Sequence, residues 1–346
     1  MREIYIRADA NNKIGTGHVM RCLSIARKLR SAGCRVIFIA ADEETAGFIR
    51  ERNPKMAEEI ICLHSVWNDL GSELPDMCRL IKERNIEKLL IDDYFVTEQY
   101  LSELNSITEV TYIDDLAAFP YPVSRLINYN IYADEAGYLK LYGDEGKLPK
   151  LLLGPSYAPL RDEFEGVQPR SFSGINKILI TSGGTDNLNM LGNILHKLKA
   201  SAAFKNKTFY CVMGAFNVNR QTLEAEYGTD PSVHLLYNIP NMGDYMKSCD
   251  ICITAGGSTT YELCACGLPS VMYTLADNQL GIAKGFSEAG LIPYAGDVRE
   301  DMDGCLERIL QEIEGLNDGH RWMTVSSKMQ SLVDGCGAAR IAEAIK

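Results

Sequence analysis

No apolar run in this chain approaches the roughly 20 residues needed to span a bilayer, so no membrane-spanning helix is expected. Dense Lys/Arg runs are missing as well: 35 basic against 46 acidic side chains leave a formal net charge of −11. A phosphate-backbone binder presents a basic face, which removes nucleic acid from the expected partners. The same acidity disfavours docking on anionic membranes. The N-terminal Met1-Arg2-Glu3-Ile4-Tyr5-Ile6 reads directly as a strand, with no basic segment leading into an apolar one, so no secretion signal is expected. Low-complexity segments and short repeats are also lacking.

Cysteine is plentiful. There are 11, an odd number, and Cys34, Cys62, Cys211 and Cys252 fall in apolar segments. That usage is expected of buried free thiols in a reducing cytoplasm. Cys249 and Cys252 form a Cys-x-x-Cys, with Cys264 and Cys266 beyond, which is compatible with zinc spacing. Cys252, however, lies inside Ile251-Cys252-Ile253 and is expected to face a core, so no metal or cofactor is expected.

The 346 residues suggest two domains at roughly 100–200 residues each. The chain alternates strand-like runs with amphipathic ones. Ile4–Arg7, Arg35–Ala40, Glu59–Leu63, Lys88–Ile91 and Glu109–Ile113 read as strands, and His18–Leu29, Met77–Glu83 and Glu98–Leu104 as helices. Such alternation implies βαβ units and a parallel sheet. The rhythm breaks in Gly166–Gly174, a Gly/Pro/Ser-rich linker. It restarts with strands Asn176–Ser182, Thr208–Met213, Val233–Tyr237, Ile251–Thr254 and Ser270–Thr274, and ends in helical runs Met302–Ile313 and Arg321–Ile345. The expected architecture is α/β: a Rossmann-like domain over 1–165, a second over 175–330, and a C-terminal helix over 331–346, the two domains facing a cleft. In open parallel sheets ligands sit beyond the carboxyl ends of the strands, so the segments just after strands are where chemistry is expected.

The first is Asp9–His18, between the first strand and helix. Gly15 and Gly17 permit close backbone approach, and the helix start offers free N–H groups to an anion. His18 there is placed to take a proton near neutral pH; equally it could cap the helix or pack on the loop. Arg21, one turn on, could pair with a phosphate or carboxylate, or form an ordinary salt bridge. The second is Ser182-Gly183-Gly184-Thr185-Asp186, whose amides could cradle a phosphate although the Lys-Ser/Thr of a P-loop is missing; a simple tight turn is the alternative. The third is Thr254–Leu263. Gly257, Ser258 and Thr259 at a helix start suit a pyrophosphate, and Glu262 could accept hydrogen bonds from two ribose hydroxyls or be a surface carboxylate. Asn278 and Gln279 could hold sugar hydroxyls; Asp277-Asn278-Gln279 also reads as a helix cap. The acidic pairs Asp92-Asp93 and Asp114-Asp115 close two strands. They could orient sugar hydroxyls, assist His18, or cap the next helix.

Together these segments resemble the two-domain nucleotide-sugar enzymes of GT-B architecture. The run from Gly256-Gly257-Ser258 through Glu262 and Gly267-Leu268-Pro269 to Gln279 is similar to the UDP-binding half of the family that makes bacterial lipid II. Gly15-Thr16-Gly17-His18 with Arg21-Cys22-Leu23 is closer to the UDP-2,4-diacetamido-2,4,6-trideoxy-β-L-altropyranose hydrolases of pseudaminic acid synthesis. So are Ile91-Asp92-Asp93-Tyr94, Ile113-Asp114-Asp115, Asn128-Tyr129-Asn130, Gly154–Arg161 and Ser182–Asp186. The resemblance covers nearly the whole chain. It implies a water activated by His18 that displaces UDP from the anomeric carbon with inversion and without metal. It also implies Glu262 on the ribose, Ser258 on phosphate and Asn278 on the sugar; it assigns the acidic pairs no role, and Asp93, Asp115 and Arg161 stand as further candidate sugar contacts. The same architecture serves glycosyltransferases, UDP-sugar epimerases and, without use for His18, a non-catalytic nucleotide-sugar binder. The loop Ala10-Asn11-Asn12-Lys13 is neither apolar nor basic enough to suggest a lipid acceptor. Sugar substituents and oligomeric state are not legible.

Overall fold

The computed structural model describes residues 2–11, 13–52, 57–143 and 146–346. Asn12, in the first glycine loop, lies outside them. The chain forms two compact units. The first runs to Asp162 and takes back Gly335–Lys346; the second is Glu163–Asp334.

The first unit holds seven strands: β1 (Glu3–Ala8), β2 (Arg35–Ala40), β3 (Glu59–Cys62), β4 (Lys88–Asp92), β5 (Glu109–Ile113), β6 (Arg125–Asn128) and β7 (Lys150–Leu153). Their order is β3-β2-β1-β4-β5-β6-β7 and every pairing is parallel. The second unit holds β8 (Lys177–Thr181), β9 (Thr208–Met213), β10 (Val233–Tyr237), β11 (Ile251–Ala255), β12 (Ser270–Thr274) and β13 (Tyr294–Asp297), ordered β10-β9-β8-β11-β12-β13, again all parallel. These are two Rossmann-like sheets. Consecutive residues such as Ile4, Tyr5 and Ile6, or Ile251, Cys252 and Ile253, are all buried. Apolar runs without alternation are what a sheet covered on both faces demands.

Strand order places the sites. Each sheet reverses direction once, between β1 and β4 in the first unit and between β8 and β11 in the second. Crevices at such switch points are where open α/β sheets take ligands. Register then fixes neighbours: Ala8 pairs with Asp92 and Thr181 with Thr254. Asp9 therefore leaves its strand beside Asp93, and the Gly183-Gly184 turn beside Gly256-Gly257.

Two helical runs differ from the sequence reading. The helix expected at Met77–Glu83 spans Leu70–Arg84, started early by Asp69, whose side chain accepts from Ser72 N, and carried through Pro75. The run Arg321–Ile345 is two helices, Gly319–Leu332 and Gly337–Ile345, broken where Gly335 takes φ 80°. Gly337 opens the last helix, where any Cβ would collide with the Ala158 backbone; Arg340 then donates to Ser156 O at 2.8 Å. The expected linker has no helix or strand over Gly166–Gly174, yet it is tied down. Arg170 donates to Met246 O, Lys247 O and Cys249 O at the end of the helix Met242–Ser248, and lies over the Trp322 ring. Among the described residues no helix is long and apolar enough to cross a membrane.

Candidate active site

His18 is the second residue of the helix Gly17–Ser31 and is 5% exposed. The loop before it folds on itself. Asn11 and Gly15 exchange backbone hydrogen bonds of 3.3 and 2.9 Å, Asn11 Oδ1 accepts from Lys13 N and Ile14 N, and Gly15 takes φ 76°, a conformation that glycine adopts without a Cβ penalty. The turn delivers the imidazole to Asp92, the last residue of β4, with Nδ1 2.6 Å from Oδ1. An ionised carboxylate only accepts, so Nδ1 carries the proton and donates. In the neutral ring, Nε2 then keeps its lone pair, the tautomer a general base needs.

Arg21 locks the carboxylate from the other side. Its Nε donates to Asp92 Oδ2 and its Nη2 to Oδ1, both at 2.5 Å, while Nη1 donates to Tyr129 Oη at 2.7 Å and lies 2.8 Å from Asp115 Oδ2. Burial pushes the Asp92 carboxyl up. The charges of Arg21 and His18, with their hydrogen bonds, outweigh that and hold it well below the usual carboxylate range. Asp92 therefore stays ionised wherever the protein is folded near neutral pH. Tyr94 completes the enclosure: its ring stands edge-on to the imidazole, 4.4 Å between centroids, and its hydroxyl donates to Asp115 Oδ2 at 3.1 Å.

This assigns the acidic pairs. Of the uses open to Asp92, the geometry pairs it with His18 and Arg21. Asp115 anchors Arg21, Tyr94 and the Asn130 amide, the last at 3.1 Å. Asp114 is structural, its carboxylate accepting from Leu116 N, Ala117 N, Tyr121 Oη and Tyr138 Oη. Arg21 is engaged at every nitrogen, so a phosphate would have to displace one of its present partners. Arg161 lies half-buried near the end of the first unit.

Asp93 is only 3% exposed, and its Oδ1 accepts from Phe95 N at 2.7 Å. Direct contact with a sugar would require this loop to move. Beneath it, Arg7 is fully buried with Asp9 and Glu73. Its Nη1 donates to Asp9 Oδ2 at 2.5 Å, and its Nε and Nη2 donate to the two Glu73 oxygens at 2.9 Å each. Glu73 also accepts from Tyr100 Oη and Ser65 Oγ. Arg7 thus has two carboxylates already and serves Asp93 poorly, and burial pushes the Asp93 carboxyl up to about 6, with Arg7 offsetting part of the rise. An acid whose folded value exceeds its unfolded one, 3.8 here, favours the fold when protonated. That stability is complete below pH 4 and is lost as pH rises through about 6. Two units correspond to roughly 3 kcal/mol. Asp93→Asn, a neutral isostere that keeps the acceptor for Phe95 N, should match the parent in urea unfolding at pH 4 and exceed it by up to roughly 3 kcal/mol at pH 8. Equal stability at pH 8 would mean that Asp93 is better solvated than this burial indicates.

In the second unit, Gly183, Gly184 and Thr185 are exposed at the end of β8, with Gly183 at φ 83°. Asp186 ties this turn to the next helix by accepting from Met190 N at 2.7 Å and Leu191 N at 3.3 Å. Gly214 approaches so closely that a Cβ there would sit 2.5 Å from Gly184 O and 2.6 Å from its Cα. Just after β11, Gly256 is packed between Met272 and the Gln279 backbone, Gly257 is half-buried and Ser258 is exposed, its hydroxyl not used to cap the helix Thr259–Ala265. Thr259 and Glu262 are half-buried on that helix. Asn278 is exposed, whereas Gln279 Oε1 accepts from Leu275 N at 2.9 Å, ahead of a helix whose start has no side-chain cap. Cys249 and Cys252 are both buried, burial pushing the Cys249 thiol up to about 12. Cys62 departs from expectation in being only half-buried.

Residues 178–291 match the glycosyltransferase family 28 C-terminal domain, the segment that carries both glycine turns of the second unit. The fold is GT-B. Over 100% of this chain and 99% of the other it superposes on Acinetobacter baumannii MurG with a TM-score of 0.70 at 14% identity. Among curated relatives, the chain is 27% identical over 80% of its length to the uncharacterized protein MJ1062 of Methanocaldococcus jannaschii, covering 56% of that protein. It is 24% identical over 75% of its length to the UDP-2,4-diacetamido-2,4,6-trideoxy-beta-L-altropyranose hydrolase of Campylobacter jejuni, covering 87% of that enzyme.

Proposed function

We propose that the chain hydrolyses a UDP-linked 2,4-diacetamido-2,4,6-trideoxy sugar, releasing the free sugar with inversion and UDP, as a cytoplasmic step in nonulosonate synthesis. The observation that carries this is the His18–Asp92 dyad, an imidazole whose Nε2 is free to act as base. In this reading Nε2 takes a proton from water, the water oxygen bonds to the anomeric carbon, and the bond from that carbon to the diphosphate oxygen breaks with its electron pair on UDP. Asp92 offsets the charge of the imidazolium that forms. Amides of the Gly183-Gly184 and Gly257-Ser258-Thr259 turns hold the diphosphate and stabilise the leaving charge, Glu262 takes the ribose, and Asn278 a sugar substituent. No step of the scheme calls on a metal. The match to the C. jejuni hydrolase supports this choice of substrate.

One observation favours a transferase instead. Val66, Tyr94, Phe95, Leu116 and Tyr132 are exposed apolar side chains, and each follows a strand at the carboxyl edge of the first sheet. Such a rim suits an organic acceptor better than bare water does. UDP release from a panel of UDP-sugars, with chelator present and no acceptor, separates the two: rapid release supports hydrolysis, while release that awaits an added acceptor supports transfer.

The nucleotide half has its own test. Gly214→Ala should push the Gly183-Gly184 turn aside and weaken UDP binding about tenfold by calorimetry, with a stability loss of roughly 1–3 kcal/mol from overpacking. Unchanged UDP affinity in the strained variant would remove that turn from the nucleotide site.

A further inference from the structure

At the same carboxyl edge of the first sheet, β3 ends in Cys62, and two residues later His64 takes a left-handed φ of 57°, uncommon for a residue with a side chain. The turn folds the imidazole back so that Nδ1 lies 3.5 Å from Cys62 Sγ. Glu43, the first residue of the helix Glu43–Arg52, brings a carboxylate to the same spot. The three ligand atoms all lie within 4.8 Å of one another, and they are the one such gathering of His, Cys, Asp and Glu ligands among the described residues.

We propose that Glu43, Cys62 and His64 form a zinc-type metal site that uses none of the residues assigned to the substrate chemistry. A tetrahedral zinc holds sulfur at about 2.3 Å and nitrogen at about 2.0–2.1 Å, which puts the two ligand atoms roughly 3.6 Å apart. The Cys62–His64 pair already has that separation, and only the Glu43 carboxylate must close in. Glu43 can do so at small cost, since its ion-pair partner is an exposed Arg50 at 3.1 Å and it already interacts with the Cys62 thiol. A thiolate with an imidazole selects zinc or cobalt over the hard cations magnesium and calcium. Glu43 and His64 are exposed, so water fills the fourth position. The ion replaces the thiol proton, and binding tightens as pH rises. It would clip the end of β3 to the start of the helix that precedes it, Glu43–Arg52. The adjoining Ser65 accepts nothing from that clip directly, but its N–H holds Ala41 O at 2.9 Å and its hydroxyl holds Glu73 at 2.7 Å. Occupancy therefore stiffens the turn over the buried Arg7 cluster.

The test is a cobalt titration of the full chain, reduced and stripped with chelator. One equivalent should bind with a thiolate-to-cobalt charge-transfer band, be displaced by zinc, and bind at least roughly tenfold more weakly in Cys62→Ser, in His64→Asn (which tolerates a left-handed backbone) and in Glu43→Gln. Zinc should also protect Cys62, read by peptide mapping, from alkylation in the unmodified chain, which needs no variant to fold. No saturable equivalent, or a band lost only in Cys62→Ser while the other two variants bind as the parent does, overturns the three-ligand site.

Discussion

Asp92→Asn should lower acceptor-free UDP release by roughly 10²–10⁴-fold while leaving UDP affinity intact. An asparagine amide can donate to Nδ1, which moves the imidazole proton to Nε2 and abolishes the base. It also withdraws the anion that Arg21 grips through two nitrogens. Asp115 and Tyr129 remain on that guanidinium, so the stability loss should be about 3 kcal/mol, the lower end for breaking a buried pair. Rate, nucleotide affinity and urea midpoint together separate the two effects. A variant that loses stability but keeps its rate would make Asp92 a structural anchor for Arg21, and would leave His18 without a partner in catalysis.

His18→Ala should cost at least as much, roughly 10³–10⁴-fold in kcat, because the proton acceptor itself is gone. The expected stability change is smaller than for Asp92→Asn: Arg21 still pairs both oxygens of the carboxylate, and what is lost is one hydrogen bond and the Tyr94 ring contact. UDP should bind as before, since its proposed ligands are in the second unit. If His18→Ala retains near-full turnover with UDP binding intact, the imidazole has no chemical role, and water or another group activates the nucleophile.

The sheets were legible because burial on both faces writes strands as unbroken apolar runs, as in Val36–Ala40 and Ile251–Ile253. Shorter strands such as Arg125–Asn128 and Tyr294–Asp297 carry too few apolar residues to stand out, and Gly296 lies within the second of these. His18 and the glycine turns were legible because loops after strands attract Gly, Ser and His for stated physical reasons. Partnership was not. Asp92 is 74 residues from His18 and Glu73 is 66 from Arg7. Which carboxylate meets which cation depends on β1 pairing with β4, a matter of strand order that local sequence does not encode. Asp92 and Asp93 look alike in sequence; one residue of strand phase sends the first to His18 and Arg21, and leaves the second buried without a full counter-charge. Tyr94 and Tyr129 stood in recognisable segments, but a tyrosine at a strand end has no pattern that says it will face an imidazole or a guanidinium. Gln279 shows the reverse case: an amide at a helix start suits a sugar hydroxyl or a nearby backbone N–H equally well until the backbone is placed, and here it accepts from Leu275 N.

The most direct test of the hydrolase reading is turnover of the UDP-2,4-diacetamido-trideoxy sugar in ¹⁸O-labelled water, without acceptor, with the products read by NMR and mass spectrometry. The account predicts label in the released sugar, on an inverted anomeric carbon, and none in UDP. Label in UDP would mean attack at phosphorus, and no release until an acceptor is supplied would mean transfer; either contradicts water attack at the anomeric carbon assisted by His18.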